Sequence, residues 1–199
     1  MFEHTKYNFS FTAASLRLPD FVRVAALKRE NKDYDFVQEF GGGKTTTGSR
    51  MLFEYNKRIA VLTEEQLDLL IDGSLSAQKQ IAFLSICKCY PFIRDFTVEV
   101  VREKMLLFDY ALTEGEFISF LRRKTDIHPE LEKITDKTTY KIKQVTFKIL
   151  EQADIIHDIR DKIIQPQLIE PEVMKVIAND NKEWLKVLLV SDYDIQNIT

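Results

Sequence analysis

Apolar residues recur along this chain mostly at intervals of three and four, the spacing that gathers them on one stripe of a helix. The most apolar stretch is IAFLSICKCYPFIRDFTVEVVREKM, Ile81 to Met105. Its first part, from about Ala77 to Cys89, carries Ile81, Phe83, Leu84, Ile86, Cys87 and Cys89 and has no clear polar face. That pattern predicts a helix covered by other helices on all sides. Pro91 ends it and suits the first turn of a second helix, where no backbone N–H is needed. In that second helix Phe92, Phe96 and Val100 recur every four residues, followed by Val101, Met105 and Phe108. Arg94, Glu99, Arg102 and Glu103 fall mostly off the stripe.

Upstream, Tyr7–Leu16 mixes aromatics with Ser, Thr and Ala and reads as an extended arm with Phe9 and Phe11 on one side. Leu18-Pro19-Asp20 opens a helix to about Glu30, with Phe21, Val24, Ala25 and Leu27 inward. A short helix, Tyr34 to Phe40, ends at Gly41-Gly42-Gly43, since glycine tolerates the positive dihedrals of a helix stop. A third helix starts at Thr47 or Ser49 and runs to Val61, with Met51, Leu52, Tyr55, Ile59 and Leu62 as its apolar face. Thr63 with Gln66, and Thr113 with Glu116, are capping boxes that open two more helices.

Downstream, His128–Leu131 is a turn and Asp136–Ala153 a long helix. The β-branched runs 155–158 and 162–165 predict a small β-hairpin near 155–165. Pro171 starts a helix to about Ala178, Asn179–Asn181 is a turn, and Glu183–Val190 is a last helix before a polar, fraying tail. The prediction is a mainly all-α protein. An N-terminal three-helix, helix-turn-helix-like unit over 1–62 precedes a helical bundle over 63–199.

Composition changes this picture little. A hydrophobic content of 45% with 30% charged residues suits a globular chain with a substantial core. No apolar run approaches the roughly 20 residues needed to cross a bilayer, and MFEHTKYNFSF lacks the build of a secretion signal. These features predict a cytoplasmic protein without membrane contact. Cys87 and Cys89 point about 200° apart on a helix and cannot bridge each other. They find no ligand spacing with His4, His128 or His157, so no metal site is expected. Asp158 and Asp161 suit a turn better than a metal.

The net charge of −3 hides an asymmetry. Residues 1–62 hold ten Lys/Arg against seven Asp/Glu, whereas 63–199 hold eighteen against twenty-four. A positive front end is compatible with phosphate contact. Gly41-Gly42-Gly43-Lys44-Thr45-Thr46 ends like a P-loop, but the full spacing needs a glycine where Gln38 stands, and a buried strand in front. The better use of the string is as the tight turn of a helix-turn-helix reader, whose third helix enters the major groove. Lys44, Thr45, Thr46, Thr47, Ser49 and Arg50 then lie at that helix's start, where hydroxyls and free N–H groups suit phosphate oxygens. Arg50 could reach a guanine edge, and Lys57 and Arg58 could neutralise further backbone. The plainer alternative is that these cations are solvated and the hydroxyls are caps. A second basic stripe, Lys137, Lys141 and Lys148 with Lys133 and Lys143 beside it, reads most simply as a soluble face, which Arg122-Arg123-Lys124, Arg160 and Lys162 could extend. No catalytic set and no cofactor or small-molecule motif emerges.

Four strings, in order, carry a family resemblance: YNFSFTAASLRLPD, TEEQLDLLIDG, ICKCYPFIRDFTVEVVREKM and DIHPELEKIT. From Tyr7 to about Trp184 the chain resembles the BrxA family, components of bacteriophage exclusion (BREX) defence systems. The resemblance implies a predominantly helical fold with some likeness to NusB antitermination proteins. It also implies a non-enzymatic role beside other BREX proteins and an association with DNA. It does not carry over Lys44–Arg50, because the triglycine stretch departs from the family's more helical connection. The expectation is therefore double-stranded DNA binding, mainly through phosphates, by the N-terminal unit. The alternative is a protein–protein adaptor that docks other BREX subunits through apolar grooves, and RNA binding by analogy with NusB is a third reading.

Overall fold

The computed structural model describes residues 5–33 and 35–198. Tyr34, the expected start of the second helix, and His4 lie outside the described residues. The fold is all-α. Its helices are α1 (Leu18–Arg29), α2 (Phe36–Gly41), α3 (Thr45–Ile59), α4 (Glu64–Asp72), α5 (Leu75–Cys89), α6 (Pro91–Phe96), α7 (Glu103–Leu106), α8 (Glu114–Thr125), α9 (Asp136–Gln152), α10 (Pro171–Asn181) and α11 (Asp192–Gln196). No helix among the described residues is long and apolar enough to cross a membrane.

Helix α5 is the hub. Ile81, Ala82, Phe83, Leu84, Ile86 and Cys87 are all fully buried, as a helix with no polar face requires. Tyr90 breaks it in an extended conformation and Pro91 starts α6. Phe92 and Phe96 there meet Phe117 and Phe120 of α8 edge to face at 5.3–5.9 Å, a favoured aromatic geometry. The N-terminal arm lies on the same cluster: the rings of Phe9 and Phe11 are 5.3 and 6.3 Å from that of Phe92. The arm is partly coiled into a single 3-10 turn, Ser10–Ala13.

Both capping boxes form as the sequence prescribes, Thr63 with Gln66 and Thr113 with Glu116. Elsewhere the structure corrects the sequence reading. A π-turn over Thr97–Arg102 joins α6 to α7, with Val100 and Val101 both buried as the pattern expects. Arg102, expected off the apolar stripe, is buried at the end of this turn, where its Nε donates to the carbonyl of Val190 at 2.7 Å. The expected hairpin near 155–165 reduces to isolated antiparallel bridges, Ile156 to Ile164 and Ala111 to Ile163, with no strand among the described residues. The two Ile runs pair with each other through that first bridge, His157 N–H donating to the Ile163 carbonyl at 2.8 Å and Gln165 N–H to that of Ile155 at 2.9 Å, while Ile163 also bridges to a third segment. No turn interrupts α10 at Asn179; the expected last helix is a 3-10 coil, Lys182–Leu188; and the tail winds into α11, capped by Ser191 and anchored by buried Ile195.

Candidate nucleic-acid interface

Helix α3 is held in place from behind. Asp35 caps α2 by accepting from the N–H groups of Val37 and Gln38 at 3.0 and 3.1 Å. Gly42 and Gly43 then take φ of +54° and +80°, so the triglycine corner turns the chain through conformations that L side chains rarely adopt. Gly41 and Gly48 let α2 and α3 cross backbone to backbone: a Cβ on Gly48 would lie 2.7 Å from the Phe36 carbonyl oxygen. Met51, Tyr55 and Ile59 face the core, where the Tyr55 ring stacks on Phe21 at 5.8 Å.

The opposite face is open. At 100° per residue, Thr46, Ser49, Arg50, Phe53 and Lys57 share one stripe. Lys44 is the N-cap residue, in an extended conformation, and no side chain caps the helix. Other helices of the described chain open on a Ser, Thr or Asp cap, open on a proline, or continue from the π-turn. Helix α3 has three exposed threonines, Thr45, Thr46 and Thr47, and uses none of them as the cap. Its first-turn N–H groups thus point outward beside hydroxyls, at the positive end of the helix dipole.

The positive front end sorts into used and unused cations. Arg17 pairs with Asp20, Arg23 with Glu39, Arg29 with Asp68 and Asp72, and Lys32 with Glu30. Lys44 and Arg50 are exposed and have no ion-pair partner among the described residues. The Lys57 ammonium sits 4.3 Å from the centroid of the Tyr90 ring, and the residue is half-buried.

Arg58 corrects the sequence reading. It is fully buried and cannot reach a phosphate. Its guanidinium donates to the carbonyls of Ala14 and Ser15, the latter at 2.8 Å, and so ties the N-terminal arm to α3. Burial pushes that group below its ordinary value, while nearby Glu54, which also accepts from the Tyr90 hydroxyl, pulls the other way. Of the residues singled out from sequence, Lys44, Thr46, Thr47, Ser49, Arg50 and Lys57 come together on the outer side of α3, and Arg58 does not. The sequence reading missed Phe53, which is 66% exposed in the middle of that stripe. The available signal was its position seven residues after Thr46 and four before Lys57, off the apolar face.

The second basic stripe is weaker than its spacing suggests. Lys137 and Lys141 are exposed, but Lys143 pairs with Glu114 and Lys148 with Glu151. Lys124 is buried against Glu99 at 2.5 Å. The P-loop resemblance ends at α2, a helix where a strand would be needed. His157, Asp158 and Asp161 bring ligand-type atoms within 4.8 Å of one another. Asp158 there accepts from the backbone of Arg160 and Asp161, which makes it the organiser of a turn. Burial raises both thiols, Cys89 to about 11 and Cys87 well above its ordinary value, so neither is a thiolate near neutrality.

The crystal structure of an uncharacterized protein from Magnetospirillum magneticum has the same fold, with a TM-score of 0.79, 21% identity and coverage of 93% of this chain and 98% of that one. Three curated relatives, each described as BREX protein BrxA, align in sequence. That of Escherichia coli O9:H4 (strain HS) is 24% identical over 143 residues, 72% of this chain and 67% of the relative. That of Bacillus cereus (strain H3081.97) is 29% identical over 96 residues, about half of each chain (48%). That of Paramagnetospirillum magneticum is 22% identical over 190 residues, 90% of this chain and 94% of the relative. The BrxA family profile matches residues 5–181, nearly the whole length, and the chain therefore belongs to the BrxA family of BREX phage-defence proteins.

Proposed function

We propose that this BREX component is non-enzymatic and binds double-stranded DNA, largely through phosphates, with the outer stripe of α3. The observation that carries the reading is the start of α3. It is a helix N-terminus with no side-chain cap, three exposed threonines and the unpaired cations Lys44 and Arg50. Lys44 and Arg50 lie about 9 Å apart along the helix axis and Arg50 and Lys57 about 10 Å, at 1.5 Å per residue, so they would meet different phosphates. Phe53 between them offers an apolar contact to sugar or base. Most of the stripe contacts backbone, so affinity should depend more on salt than on sequence.

Titration of the full chain against a labelled duplex tests this. With three phosphates neutralised, binding weakens by about 40-fold between about 50 and about 200 mM salt. Replacing Lys44, Arg50 and Lys57 together with alanine removes most of it at unchanged helicity; Arg58 is left out because its loss would unfold the arm. Absence of binding at low salt contradicts the reading, and stronger competition by RNA than by duplex DNA replaces it with an RNA-binding one.

A second reading, an adaptor that docks other BREX subunits without touching nucleic acid, is favoured by one other feature, an apolar groove on the C-terminal half. Co-purification that survives nuclease, with no mobility shift on DNA, would select it.

A further inference from the structure

Two of the most exposed large apolar side chains of the described residues, Leu168 at 89% and Phe108 at 80%, line the same groove. It is a trough of about 490 Å³, whose walls also include Met105, Met174, Leu189 and Val190. Leu107, almost as exposed, follows α7 next to Phe108. Isolated surface hydrophobes are ordinary, but several around one trough mark an interaction surface. Methionines in its walls let such a surface adapt to the side chains it receives.

Carboxylates supply the sign of the partner: Asp194 lines the trough, and Glu103, Asp109 and Asp192 each stand within two residues in sequence of a lining residue. Arg102 is buried and pairs with Glu103 and Asp192. Lys186 lies mostly inside and pairs with Asp192 and Glu183, and Lys104 does the same with Asp109 and Glu116. The cations are turned inward and the carboxylates outward: Glu103, Asp109, Asp192 and Asp194 are all exposed. We propose that this groove takes a basic amphipathic helix from a partner protein. Apolar side chains at helical spacing would seat between Phe108, Leu168 and Met174, and lysines or arginines flanking them would meet the four carboxylates. The same acidic rim disfavours an anionic lipid surface. The inference gives the adaptor reading a chemical occupant and holds whether or not α3 carries DNA.

The test uses the full chain and a fluorescein-labelled peptide of about 14 residues, with leucines at i, i+3, i+4 and i+7 and lysines elsewhere. A scrambled peptide of equal composition and a leucine–glutamate version serve as controls. Binding in about the micromolar range is expected, weakened about tenfold or more by Phe108→Ser with Leu168→Ser. Both positions face solvent, so circular dichroism and the melting temperature of the double variant stay unchanged. The control peptides are expected to bind at least about tenfold more weakly. Equal binding by the variant, by the scrambled peptide or by the acidic one overturns the proposal. So does a homodimer in sedimentation that the double substitution dissociates, which would make a second copy the occupant. A BREX subunit that co-purifies equally well with the variant would leave the adaptor reading standing and remove this groove from it.

Discussion

The stripe on α3 and the trough beside α7 and α10 are both open surfaces, and they are built in opposite ways. On α3 the acids are spent and cations are left over: Glu54 is buried with Arg58 and Tyr90, while Lys44 and Arg50 have no ion-pair partner among the described residues. Beside the trough three inward-turned cations, Arg102, Lys104 and Lys186, pair with five carboxylates, so negative charge is in excess. Neither surface can be read from net charge, because the same residue type is structural on one side of a helix and available on the other. Arg58 and Arg50, two turns apart, are the sharpest pair: one holds two carbonyls in the core and the other reaches only solvent.

Breaking that pair gives the largest expected effect. Arg58→Ala strands the carbonyls of Ala14 and Ser15, removes the positive charge near buried Glu54, and should cost about 3–5 kcal/mol in chemical unfolding. Arg50→Ala should change stability by less than about 0.5 kcal/mol. Similar losses in the two variants would mean that the division between structural and free cations is misdrawn. Gly48→Ala comes next. Its methyl would press on the Phe36 carbonyl and force α2 off α3, for a loss of about 1–3 kcal/mol and a displaced α3 start. A Gly48→Ala protein of wild-type stability would show that the crossing is looser than described.

Phe53→Ala should leave folding intact and lower duplex affinity by about threefold to tenfold, since it removes one apolar contact from a mainly ionic interface. An unchanged affinity would confine the interface to the first two turns of α3. The smallest effect concerns the trough. Hydrogen bonds from Lys186 and then Arg102 hold the Asp192 carboxyl below the usual carboxylate range. A carboxyl depressed in the folded state adds stability above its unfolded value, and that stability is lost as pH falls through the folded value. Thermal stability should therefore drop from about pH 5 toward about pH 3, and Asp192→Asn should show a shallower drop. Identical pH profiles would mean that the ion pairs behind the rim contribute nothing.

Much of the helical frame was legible from sequence, for local reasons. Capping boxes, the apolar run of α5 and the triglycine stop are all contained within a few residues, and each appears where the pattern puts it. What escaped depends on partners far along the chain. The role of Arg58 is set by carbonyls more than forty residues earlier, and sequence shows only an arginine beside Lys57. The burial of Arg102 is set by the Val190 carbonyl and Asp192, about ninety residues later in the chain. The 155–165 segment reads as a hairpin because its isoleucines are β-branched; its two runs do pair, but too briefly for a strand, and the second bridge of Ile163 to Ala111 depends on a segment about fifty residues earlier. For the candidate site, position on α3 was legible and the division between exposed and buried cations was not.

In the proposed mode of binding, the exposed cations on α3, and no other part of this surface, meet DNA phosphates. The salt dependence of duplex affinity measures this most directly, in the wild type, in the Lys44/Arg50/Lys57→Ala variant and in the Phe108→Ser/Leu168→Ser variant. The account predicts that log affinity falls with log salt at a slope of about −3 in the wild type and the groove variant, and close to zero in the α3 variant. An α3 variant that keeps the wild-type slope would contradict it.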